Sequence, residues 1–124
     1  MNITQIKPEK INKGWGYEII FFNAKDLFCS KILHYNKKGS KSSGHLHLEK
    51  SELFICQPNS YFILSYKYDN GVTQTRIFNS GDAIFIPKGT FHQLECRQDN
   101  SEILEISTFD DPNDIVRIEP GDGQ

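Results

Sequence analysis

Four side chains in this sequence have the types and spacing to hold a metal ion: His45, His47, Glu52 and His92. On an extended strand alternate side chains share a face, so His45 and His47 point the same way. The polar residues after His47 can form a turn, and a neighbouring strand then brings the Glu52 carboxylate back toward the imidazoles. His92 joins from much further along the chain. Imidazoles with one carboxylate suit a borderline divalent cation such as Zn, Fe, Ni or Mn. The expectation is one divalent metal ion per chain, held on a β-scaffold. A lone histidine is more often a satisfied core or surface residue. Here three of the chain's four histidines fall into the pattern, and only His34 stands outside it.

The elements that must position these residues are short and extended. Residues 1–13 alternate polar and apolar around Pro8, which reads as an arm or edge strand. Further strands are expected over 19–22, 27–35, 53–56, 61–68, 72–78, 83–86, 93–96 and 102–108. The strand over 27–35 has two faces of mixed character, Cys29, Lys31, Leu33, Tyr35 and Phe28, Ser30, Ile32, His34, and the pattern leaves its inward face open. Asp69-Asn70-Gly71 is the strongest hairpin signal, and Pro87-Lys88-Gly89 makes the tight turn that aims His92. One short helical turn is expected at Asp111-Pro112-Asn113-Asp114, and the tail 119–124 reads as frayed. Many short strands at regular spacing predict an all-β sandwich or barrel.

At 124 residues the chain is one domain, 1–124, able to bury a core without disulfides. Its three cysteines, Cys29, Cys56 and Cys96, are odd in number and lack CxxC spacing, so they read as buried small hydrophobes. Alternation puts Cys96 on the face of His92 and Leu94, where it either lines the cavity or packs in the core. The net charge of −2 comes with no dense basic run, which argues against nucleic acid as a partner. No apolar stretch approaches a membrane span, and the N-terminus lacks the core of a signal peptide, so a cytoplasmic location is expected.

The two stretches Gly39-x5-His45-x-His47-x4-Glu52 and Gly81-x5-Pro87-x-Gly89-x2-His92 resemble the two cupin motifs. Asn59 stands where the first usually ends in Gly, and Cys96 where the second usually has Asn. The resemblance implies a cupin double-stranded β-helix, a jelly-roll barrel holding a metal on His45, His47, Glu52 and His92. Gly14-Trp-Gly-Tyr-Glu18, Lys31-Ile-Leu-His34 and the run from Glu105 to Arg117 are similar to small cupins of the type II mannose-6-phosphate isomerase group. That similarity implies a carbohydrate ligand, aldose–ketose isomerisation of a sugar phosphate, and a homodimer formed through edge strands. Glu105 is then the candidate base, although a mid-strand glutamate faces either cavity or solvent. Lys31 and Arg117 are candidate phosphate contacts, or ordinary surface charges. Iron-dependent cupin dioxygenases acting on a small molecule resemble the motif equally well, and a non-catalytic cupin that binds a sugar or another small molecule also fits.

Overall fold

The computed structural model describes residues 2–67 and 70–123. Tyr68 and Asp69, where the expected 61–68 strand ends and the hairpin turn begins, lie outside the described residues. Eleven strands run in chain order: β1 (Glu9–Lys13), β2 (Gly16–Asn23), β3 (Cys29–Tyr35), β4 (Gly44–Leu46), β5 (Glu52–Cys56), β6 (Tyr61–Lys67), β7 (Thr73–Asn79), β8 (Ala83–Ile86), β9 (His92–Cys96), β10 (Ser101–Ser107) and β11 (Val116–Glu119). They form two antiparallel sheets, β1-β2-β3-β10-β5-β8 and β11-β4-β9-β6-β7. The described residues contain no helix, and none long and apolar enough to cross a membrane.

Period-two burial explains why these segments are strands with one face inward. In β3, β5 and β9 every second residue is buried. The open question over 27–35 resolves to Cys29, Lys31, Leu33 and Tyr35 facing in. Inward residues change character along the barrel axis. Ile103 of β10 pairs across to Leu33 and Cys56, the next inward residue Glu105 to Lys31 and Phe54, and Ser107 to Cys29 and Glu52. In β9 the same progression runs from Cys96 through Leu94 to His92.

One end of the interior is therefore apolar, and Tyr35, Cys56, Phe62, Leu64, Phe78, Leu94, Cys96 and Ile103 fill it. Burying one large apolar side chain there contributes about 2 kcal/mol. The other end holds buried His47, Lys50, Glu52, His92, Lys31 and Glu105, which a packed core excludes unless they are paired. All three cysteines are free and buried. Cys96 belongs to the apolar end, its Sγ 2.9 Å from the Gln98 carbonyl, and so does not line the polar cavity.

Two sequence expectations need correction. At 111–114 there is one turn, closed by the Asp114 amide on the Asp111 carbonyl at 2.9 Å, and no helix. The tail is held rather than frayed: the Lys41 amide donates to the Asp122 carboxylate at 2.7 Å and the Asp122 amide donates to the Lys41 carbonyl at 2.9 Å. The Asp122 carbonyl lies 1.3 Å from where a Cβ on Gly14 would be, so only glycine admits the tail at that position.

Candidate metal centre

His45 on β4 pairs directly with His92 on β9, Glu52 opens β5 in the opposite sheet, and His47 follows β4 by one residue. One ring nitrogen from each of the three histidines lies within 4.8 Å of the others. The Pro87–Gly89 turn contributes in two ways. Gly89 takes φ +80°, a conformation glycine adopts freely, and its amide donates to the His47 carbonyl at 2.6 Å. The Thr90 carbonyl then receives His92 Nδ1 at 2.9 Å. Asn59 has φ 59°, so asparagine accepts the left-handed turn where the resembling motif usually has glycine.

Each imidazole is oriented by a backbone carbonyl. His45 Nδ1 lies 3.0 Å from the Ser43 carbonyl, His47 Nδ1 2.7 Å from that of Asp114, and His92 Nδ1 2.9 Å from that of Thr90. A carbonyl only accepts, so hydrogen bonding assigns the proton to Nδ1 in all three rings and leaves a lone pair on each Nε2. His92 Nε2 is 3.1 Å from Glu52 Oε2, and His47 Nε2 is 3.3 Å from Glu52 Oε1. These contacts bring acceptor against acceptor. Glu52 Oε2 and His92 Nε2 are accordingly buried without a hydrogen-bond partner. A cation resolves that conflict, so the residues fit a metal, with Nδ1–H···O=C bonds of the kind that orient ligating histidines.

Electrostatics agree with ligation. Burial, reinforced by His92 and His47, lowers the His45 pKa to about 3, keeping the ring neutral as a ligand must be. Although burial opposes a charge on Glu52, its surroundings, the Lys50 ammonium at 2.9 Å among them, hold its carboxyl well below the usual range.

Behind the histidines lies an ion-pair lattice. Lys50 Nζ is 2.9 Å from Glu52, 2.9 Å from Asp110 and 3.3 Å from Glu105. Lys31 Nζ is 3.0 Å from Glu18, 3.0 Å from Asp110 and 4.0 Å from Glu105. Burial pushes the Glu105 carboxyl up, with Lys31 and Lys50 opposing. With Lys13 Nζ 3.6 Å from Glu18, three ammonium groups face four carboxylates, and the remaining negative charge favours a cation.

The site residues named from sequence all line one cavity of about 250 Å³, together with Trp15, Tyr35 and Phe54. Glu105 faces this cavity and not solvent. Lys31 is buried and committed to carboxylates. Arg117 is exposed at the cavity's rim, opposite His45 in register. Sequence reasoning missed Glu18, Lys50, Asp110 and Asp114. Lys50 lies in the turn between two candidate ligands, where no periodicity assigns it a direction. The others come from pairings across the fold that no local pattern announces.

No protein-family model and no curated protein matches the sequence. Solved structures do match in shape. Oxalate decarboxylase from Bacillus subtilis at pH 4.6 superposes with a TM-score of 0.79 at 15% identity over 95% of this chain. A structure of that enzyme studied for its Mn(II) centres gives 0.77, again at 15% identity over 95%. The capsular polysaccharide assembling protein CapF from Staphylococcus aureus gives 0.73 at 18% identity over 91%. The chain spans about a third of their lengths: 33%, 33% and 34%. Such identities carry the fold, and the fold is that of a cupin.

Proposed function

We propose that this protein is a divalent-metal-dependent cupin that moves a proton between adjacent carbons of a small hydroxylated carbonyl compound. The substrate class is a sugar or sugar phosphate, interconverted between aldose and ketose, in line with the mannose-6-phosphate isomerase-like features of the sequence. The observation that carries the reading is the meeting of three Nε2 lone pairs and the Glu52 carboxylate in the wall of one open cavity. His45, His47, Glu52 and His92 would hold the metal, and manganese is the first candidate because one matched structure was studied for its Mn(II) centres. When bound, the metal supplies Lewis acidity toward substrate oxygens.

The chain's own groups supply the rest. Glu105, buried in the cavity wall, is the candidate proton shuttle. Its raised pKa favours reversible protonation. Ser107 Oγ donates to its Oε2 at 3.2 Å and fixes the carboxyl's orientation. The Lys31 ammonium is held by Glu18 and Asp110. Arg117, exposed at the cavity's rim, is the candidate to meet a phosphate entering from solvent, and Lys31 steadies Glu105. Trp15 stacks on Tyr35 at 4.3 Å and walls the cavity on its apolar side.

Protein loaded in turn with Mn, Fe, Ni or Zn is incubated in deuterated water with aldose phosphates. The expected result is isomerisation without oxygen, deuterium entering at the carbon next to the carbonyl, and loss of turnover in Glu105→Gln. Substrate-dependent oxygen uptake by the iron form would replace this reading with a dioxygenase. A tightly bound ligand recovered unchanged would replace it with a binding protein.

We also propose a homodimer formed through β1, the outer strand of the six-stranded sheet. A two-fold axis at Ile11 sets Glu9 of each copy against Lys13 of the other, an opposite-charge pair in an antiparallel ladder.

A further inference from the structure

The stretch from His47 to Ser51 joins the two ligand-bearing strands and lies outside both sheets. Its amides have no ladder to satisfy them, yet His47 begins it and Glu52 follows it directly. One residue, Asp114, gathers most of the stretch. Its carboxylate accepts from the Leu48 amide at 2.8 Å, from the Glu49 amide at 3.0 and 3.2 Å, and from the Lys50 amide at 3.0 Å. Its carbonyl accepts His47 Nδ1 at 2.7 Å. Asp114 is 8% exposed, so these bonds form away from water, where a carboxylate's hydrogen bonds are strong.

We infer that Asp114 is the positioning residue of the metal centre. Its carbonyl fixes the tautomer and heading of the His47 ring. Its carboxylate splints the following three residues, so that His47 and Glu52 keep their separation whether or not an ion is present. This places control of the centre in the segment between β10 and β11, and makes ligand geometry depend on a residue that touches neither metal nor substrate. The inference rests on the metal reading proposed above.

The test uses Asp114→Ala and Asp114→Asn in the full chain. Co(II) affinity is measured by calorimetry, the Co(II) visible spectrum is recorded, and thermal unfolding of the metal-free proteins is followed in parallel. Asp114→Ala keeps the carbonyl on His47 Nδ1 and removes only the carboxylate splint, so a loss of metal affinity of about 10-fold is expected, the lower end of what outer-partner changes cause, with a changed Co(II) spectrum. Asparagine keeps one acceptor oxygen but sets an NH₂ against one of the backbone amides, so a smaller loss of affinity is expected, with the fold intact. If Asp114→Ala fails to fold, Asp114→Asn decides. Affinity within about twofold of the unmodified protein and an unchanged spectrum in a folded variant would overturn the positioning role. Failure of the unmodified protein itself to bind Co(II) would overturn the metal reading, and the inference with it.

Discussion

Lys50 meets three carboxylates in the interior, those of Glu52, Asp110 and Glu105, and is 3% exposed. Burial works against its charge, yet Glu105 and Glu52 hold its pKa above the ordinary lysine value. A buried charge that loses its partner costs more than the pair contributes, because desolvation remains when the Coulomb attraction is gone. Lys50→Met should therefore destabilise the metal-free protein by about 3–5 kcal/mol in denaturant unfolding. Adding Glu105→Gln removes one stranded carboxylate and should recover about 1–3 kcal/mol, so the two changes are not additive. Strict additivity would mean that the lattice is not one unit. The four candidate ligands were legible in the sequence because alternation and spacing are local. The lattice was not, because Lys31 meets Glu105 only through β3–β10 pairing, and Asp110 reaches both lysines from a loop without periodicity.

Elements with one wet and one dry face announced themselves, and elements exposed throughout did not. β3, β5 and β10 alternate in burial and were readable as strands; β11 is exposed at every residue and gave no pattern. The expected helical turn at 111–114 does not propagate because the Asp114 carboxylate is turned onto the 48–50 amides and β11 begins two residues later. β1 is an element whose role depends on what lies beyond it. A polar edge strand with two lysines resists indiscriminate pairing, while the Glu9–Lys13 register permits one specific partner, a second copy. Sedimentation should give a species of about twice the 14.3 kDa chain mass. Asn12→Pro, which removes an amide donor from the outer edge of β1 and leaves the Ile11–Glu18 pairing with β2 in place, should shift it to monomer. Monomer alone in the unmodified protein at working concentration would rule the pairing out.

For the molecule as a whole, stability draws on two ends of one interior that respond differently to acid. The apolar end is indifferent to pH. At the polar end, burial works against the Asp110 charge, but Lys31 and Lys50 outweigh it and hold its pKa at about 2 against an ordinary 3.8. A depressed acid contributes stability that is present above its unfolded value and is lost as pH falls from 3.8 toward 2. With the carboxylate 24% exposed, its contribution is roughly 2 kcal/mol. His45 adds a second limb in the metal-free protein. Its folded value of about 3 lies below the ordinary 6.5, so the unfolded chain takes up the proton first and stability falls between pH 6.5 and 3. Unfolding free energies of the metal-free protein should decline in both windows. Asp110→Asn should begin roughly 2 kcal/mol lower at neutral pH and converge on the unmodified protein near pH 2, because by then the unmodified protein has lost the same charge. A difference between the two that stays constant down to pH 2 would show that Asp110 acts by shape and not by charge.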